Sequence, residues 1–210
     1  MSNENTYETD AFYLLEKIVA LSIIALMDKD KNTLPVVKFK GRILVIDNNS
    51  LLKECVADLM REKYIGLDTE TKPSFKKGET HPLALIQLAS EDRAYIVKAQ
   101  KISELHLLAP IFESDKIVKI GLALRDDIKS IQKLFPFDPQ QFIELQSLAK
   151  EKNLKNFGLK GMTEEILHQH LSKKAKLTNW EKDPLSIEQL TYAALDAWIC
   201  LKLFQKLKEL

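Results

Sequence analysis

The chain is short of features that would settle its class early. Its 210 residues carry only two cysteines, Cys55 and Cys200, and 31 Lys and Arg against 30 Asp and Glu. Two cysteines with no metal-ligand spacing exclude a disulfide-stapled scaffold and read as buried thiols of a reducing compartment. A formal net charge of +1 removes bulk attraction to a polyanion, so any nucleic-acid surface has to be local. Long apolar runs are also missing. The most membrane-like stretch, residues 11–27, is interrupted by Glu16 and Lys17, is short for a span, and lacks the basic start and cleavage site of a secretory signal. No internal repeat or low-complexity segment is visible. These absences leave a cytoplasmic globular protein that binds no membrane, and 45% hydrophobic with 29% charged residues agrees with that.

Helical spacing of Leu14, Leu15, Ile18, Leu21 and Leu26 predicts an appended helix within residues 1–33, ahead of a main domain at 34–210. In that domain, Arg42 to Asp47 reads as a short strand and Leu51 to Glu62 as a helix capped from Asn48, Asn49 or Ser50. Three strands follow as an antiparallel meander: Tyr64 to Glu70, Leu83 to Leu88, and Ala94 to Val97. Helices and strands then alternate. A helix capped by Ser103 runs to Phe112, a fourth strand covers Lys116 to Gly121, a helix covers Arg125 to Leu134, and a short fifth strand covers Phe142 to Leu145.

The remainder is helical, with segments at Gln146 to Lys152 and Leu159 to His170. A long final helix opens on a capping box, Ser186 to Gln189. The expected fold class is α/β, a mixed five-stranded sheet flanked by helices with the Tyr64 strand at its centre.

Two acids stand out. On a strand, alternate side chains share a face, so Asp68 and Glu70 point together and Thr69 points away. Such a pair is tolerated when solvated, sharing a proton, or holding cations. On the last helix Tyr192 and Asp196 are four apart and stack on one side of an otherwise apolar surface, where an isolated carboxylate is costly. Between them, Asp126 and Asp127 sit where a strand end becomes a helix start. Taken alone, they read equally well as acids favoured by the helix macrodipole. Four converging carboxylates suggest hard divalent cations, and two such ions about 4 Å apart can clamp both oxygens of a phosphodiester displacement.

Asp68-Thr69-Glu70, Gly121 with Asp127 six positions on, and Tyr192 with Asp196, in this order, resemble the three motifs of the DEDDy 3'-5' exonucleases. The resemblance is to the Werner-type exonuclease domain, with ribonuclease D a nearer cousin than polymerase proofreading domains. It runs from about Val36 onward, supported by LALIQL, FIEL, Thr178-Asn179-Trp180-Glu181 and Pro184-Leu185. It implies a ribonuclease H-like fold and two cations, Mg²⁺ or Mn²⁺, with DNA 3' ends as substrate and RNA as the second candidate. Asp68 would bridge both ions, Glu70 and Asp196 would complete the first, and Asp127 would serve the second. Tyr192 would orient the attacking water. The same fold could instead serve as a silent nucleic-acid-binding module, or the same metal pair as a small-molecule phosphoesterase.

Other residues carry blander readings. His168 and His170 read as a surface pair, and Trp180 as a packing residue that could instead stack on a base. Lys76, Lys77, Lys173, Lys174 and Lys176 are loop cations that could meet a phosphate backbone. Oligomeric state is not encoded in any of these features.

Overall fold

Apolar residues run together in Arg42–Ile46, in the first half of Tyr64–Thr71, and through Leu83–Ala89 and Arg93–Lys98, and these segments form strands β1 to β4. Val118–Gly121 and Phe142–Glu144 add β5 and β6. In this computed structural model, which describes residues 34–74, 78, 80–171 and 178–210, Val36–Leu210 forms one compact unit. The predicted helix within residues 11–27 and the five loop lysines lie outside the described residues.

The six strands make one mixed sheet in the order β1-β4-β3-β2-β5-β6. The meander is as expected: β2 pairs antiparallel with β3, and β3 with β4. The pairs β1 with β4, β2 with β5, and β5 with β6 are parallel. The sheet therefore has six strands where five were expected, because Arg42–Ile46 joins the edge beside β4. Strand β2 lies in the interior of the sheet, between β3 and β5.

Among the described residues six α-helices accompany it: α1 (Asn49–Leu59), the single turn α2 (Ala109–Phe112), α3 (Leu124–Gln132), α4 (Leu145–Glu151), α5 (Leu159–Leu167) and α6 (Ile187–Glu209). Asn48 caps α1 by accepting from the Leu51 N–H. The helix expected from Ser103 to Phe112 is instead a 3-10 turn, Leu105–Leu108, followed by α2. Ser103 caps nothing, since its hydroxyl accepts from the Asn49 amide, and Pro110 starts a new turn. Helix α5 stops three residues short of His170 because His168 takes the left-handed conformation at φ 51°.

Alternation along the strands gives the sheet two apolar faces. On one, Ile65, Leu67, Ile86, Leu88 and Val97 pack with Leu52, Cys55 and Leu59 of α1 and with Phe112 and Ile131. On the other, Leu85, Ala89, Ala94 and Ile96 pack under Ala193, Ala194 and Ala197 of α6, and Ile120 under Leu195 and Ile199. Small residues on α6 bring its backbone down onto the sheet. The contact is tightest at Gly66 of β2, where an added Cβ would lie 1.9 Å from the Ala197 carbonyl oxygen. Both parties are backbone, so neither can rotate away.

Gly66→Ala is expected to lower unfolding free energy in urea by about 2–3 kcal/mol, the cost of overpacking against an unyielding neighbour. An unchanged midpoint would show that α6 does not rest on β2 there.

Candidate active site

The site is assembled from β2 and α6. Gly66, Asp68 and Glu70 occupy alternate positions of β2 on the face that α6 covers, and Asp196 directly precedes Ala197, the residue seated on Gly66. One carboxylate oxygen each from Asp68, Glu70 and Asp196 lies within 4.8 Å of the other two. Asp196 is buried and the other two are partly so. Oxygen donors at this spacing fit a hard divalent cation.

The electrostatics follow from that crowding. Burial pushes the Asp68 carboxyl well above the usual carboxylate range, and the charges of Asp196, Glu70 and Asp127 push it further. A hydrogen bond from the Thr69 backbone opposes them. A cation among these oxygens would remove the repulsion that raises it.

Tyr192 lies one turn before Asp196, and its phenol is driven well above its usual value, first by burial and then by the charge and hydrogen bonding of Asp196. It is a neutral hydroxyl at neutral pH. Trp180, 1% exposed, packs its ring 5.8 Å from that of Tyr192, so its packing reading holds.

The segment carrying Trp180 is tied down by charge. Asp183 accepts from Lys98 at 2.6 Å and from Lys101, and these two bonds, Lys101 first, hold its carboxyl down at about 2. Gln189 donates to the Thr178 hydroxyl at 3.1 Å and to the Asn179 carbonyl at 3.0 Å. It also closes the capping box by accepting from the Ser186 N–H at 3.0 Å, while Ser186 accepts from Gln189. The start of α6, and Tyr192 with it, is thereby located.

Asp127 stands apart from the group of three. It sits in the first turn of α3 and accepts from the Thr69 hydroxyl, on the β2 residue that points away from α6. Burial lifts its carboxyl to about 6, the Thr69 bond opposing, with Asp126 and Glu144 adding to the rise. Its charge still reaches Asp68. Thr69 and Gly66 are the residues that sequence reasoning left without a role. Both lie within the apolar run that ends in Asp68 and Glu70, and a glycine in a buried strand is itself a signal of close backbone approach. His168 and His170 are not among the clustered ligands; His170 meets Glu164 at 3.0 Å.

Residues 43–210 match the family described as 3'-5' exonuclease. The chain is 30% identical over 192 residues to a 3'-5' exonuclease of Arabidopsis thaliana, covering 84% of this chain and 67% of that one. It is 29% identical over 190 residues to the bifunctional 3'-5' exonuclease/ATP-dependent helicase WRN of Mus musculus, covering 86% of this chain but only 14% of the mouse protein. Among solved structures, Escherichia coli RNase D, an exoribonuclease involved in structured RNA processing, superposes with a TM-score of 0.73 at 27% identity. That match covers 80% of this chain and 44% of the RNase D chain. The fold is accordingly ribonuclease H-like.

With metal removed by EDTA, the folded protein holds the Asp127 proton to about pH 6, whereas an unfolded chain releases it near pH ~4. Raised acid pKa values mean that stability is fullest below the unfolded value and is lost as pH rises through the folded one. Thermal melts in EDTA are expected to show this loss for the wild type, and a smaller one for Asp127→Asn. At pH 7.5 in EDTA, Asp68→Asn is expected to melt above the wild type, while Mn²⁺ raises the wild-type midpoint and leaves that of the variant in place. A midpoint for Asp68→Asn at or below that of the wild type would contradict the repulsion described.

Proposed function

The chain belongs to the 3'-5' exonuclease family, and from that premise we propose that it removes nucleoside monophosphates from the 3' end of DNA with two divalent cations. The observation that carries this is the convergence of Asp68, Glu70 and Asp196 within 4.8 Å. Three acids concentrated beside a tyrosine have no role in a silent binding module. A small-molecule phosphoesterase is distinguished from this reading by its preference for nucleotides over oligonucleotides.

Asp68, Glu70 and Asp196 would hold one cation, and Asp68 with Asp127 the second, Mg²⁺ or Mn²⁺ in each case. When bound, these ions supply charge stabilisation on the scissile phosphate and lower the pKa of the attacking water. Glu70 and Asp196 approach Asp68 from the strand and from the helix, so a donor set shared between two elements is rigid once α6 is docked. Tyr192, neutral and half-buried beside Asp196, offers a hydrogen-bond donor that orients the water or a phosphate oxygen. Its raised pKa supports a phenol that positions the water, unless bound cations lower that value.

RNA is the second substrate, favoured by the likeness to an exoribonuclease. Since the chain spans a small part of the mouse relative, activity of the domain at 34–210 is proposed here without the further activity in that protein's name. Residues 1–33 are proposed as an appendage to it. The two cysteines are free and buried, which supports a reducing, cytoplasmic setting, and among the described residues no helix is long and apolar enough to cross a membrane.

Digestion of 5'-labelled single-stranded, double-stranded and recessed DNA, with matched RNA, tests the proposal. A ladder shortening from the 3' end is expected with Mg²⁺ or Mn²⁺, and is lost in EDTA, in Asp68→Ala and in Asp196→Ala. Activity surviving both substitutions would sink the assignment. Tyr192→Phe is expected to lower kcat by roughly 10²-fold, as for loss of one donor to a transition state, with Mn²⁺ affinity unchanged.

A further inference from the structure

We propose that Glu144, to which the resemblance assigns no role, is the positioning residue for Asp127 and so for the second cation; this rests on the two-cation reading above. Helix α3 begins with no local means of doing so. The residue before it, Ala123, has no side chain able to cap, and stands in the left-handed region at φ 61°, ψ 32°. That conformation is disfavoured for any residue bearing a Cβ. The first N–H groups of a helix also need acceptors from outside it.

Glu144 supplies them from a distance of 20 residues in the chain. It ends β6, opposite Gly121 of β5 in the parallel register. One carboxylate oxygen accepts from the Ala123 N–H at 3.0 Å and the other from the Leu124 N–H at 2.8 Å. The first oxygen also accepts from the Gln146 N–H at 3.1 Å, where α4 starts. A single side chain thus holds the starts of two helices.

The other side of this turn is fixed by packing. A Cβ on Gly121 would meet the Leu67 carbonyl oxygen at 2.7 Å and Leu124 Cδ2 at 2.4 Å, so the turn lies directly against β2. Asp127 follows Leu124 by three residues, within one turn of a rigid helix. A displacement of the Leu124 backbone is therefore carried to the Asp127 carboxylate, which must reach Thr69 and the vicinity of Asp68. Glu144 is not one of the three clustered acids, and its bonds to the Ala123 and Leu124 N–H groups act on the helix that carries Asp127.

Glu144→Gln preserves size and one acceptor oxygen but turns the other position into a donor facing an N–H. Mn²⁺ binding to the full chain, counted by EPR of the free ion, is expected to show two sites in the wild type, one of them weakened in Asp127→Asn. Glu144→Gln is expected to weaken that same site by about tenfold or more, the scale for groups that orient metal ligands, and to leave the other within about twofold. The Glu144→Gln/Asp127→Asn double variant is expected to bind no more weakly than Asp127→Asn. Amide hydrogen exchange at Ala123 and Leu124 is expected to accelerate in Glu144→Gln. Unchanged exchange, equal weakening of both sites, or faster exchange with both sites intact would each overturn the inference, the last by making Glu144 merely structural. A wild type that binds fewer than two ions would overturn the two-cation reading instead, and does so before any variant is made.

Discussion

Everything in the candidate site depends on a backbone meeting a backbone. Where α6 crosses β2 only a hydrogen atom separates Gly66 from the Ala197 carbonyl. That contact sets the height of the helix over the strand. One residue before Ala197 on the helix is Asp196, and two and four residues beyond Gly66 on the strand are Asp68 and Glu70, so the spacing of the acids follows from it. The acids themselves work against the arrangement, since each raises the energy of the others when ionised. Apolar packing opposes them: Ala193, Ala194 and Ala197 close over Leu85, Ile96 and Trp180. Burial of that surface has to exceed the repulsion wherever no cation relieves it.

A second layer of control acts on Tyr192. The segment from Thr178 to Ser186 is held by Lys98 and Lys101 on Asp183, by Gln189 on Thr178 and Asn179, and by the ring contact of Trp180 with the tyrosine. Lys72 and Gln100 add contacts to Glu181, at 3.6 and 3.1 Å. Several modest interactions converge on one short stretch, and their joint effect is to fix the end of α6 that carries the phenol. The helix needs this, because its other end rests on the distant apolar cluster around Leu203 and Phe204.

Much of this was legible in the amino-acid order because it obeys local rules. Alternation put Asp68 with Glu70, a spacing of four put Tyr192 with Asp196, and Ser186 with Gln189 announced the start of the last helix. The fold class and the meander followed from the same periodicities. What escaped was nonlocal. Nothing near Arg42 reveals that its strand joins the edge beside β4, and nothing in Ala123-Leu124 reveals that their N–H groups are answered by Glu144. Taken alone Asp127 read equally well as a helix-start acid, and its spacing from Gly121 gave it a metal only through the resemblance; that it reaches β2 from the side of Thr69 depends on the pairing of β2 with β5. Helix limits at Ser103 and His170 failed where a proline and a left-handed residue outweighed an otherwise continuous pattern.

The placement of Asp196 has a consequence in time as well as in space. All six strands are complete by Glu144, whereas Asp196 lies on a helix that starts at Ile187. Chains emerge from the ribosome amino end first, and segments fold as they become available. A nascent chain can therefore assemble the whole sheet, with Asp68 and Glu70 in position, while the third acid is still inside the exit tunnel. During that interval the chain holds Asp68 and Glu70 without Asp196, and the group of three acids is incomplete. The order of the residues along the chain acts as a delay built into synthesis.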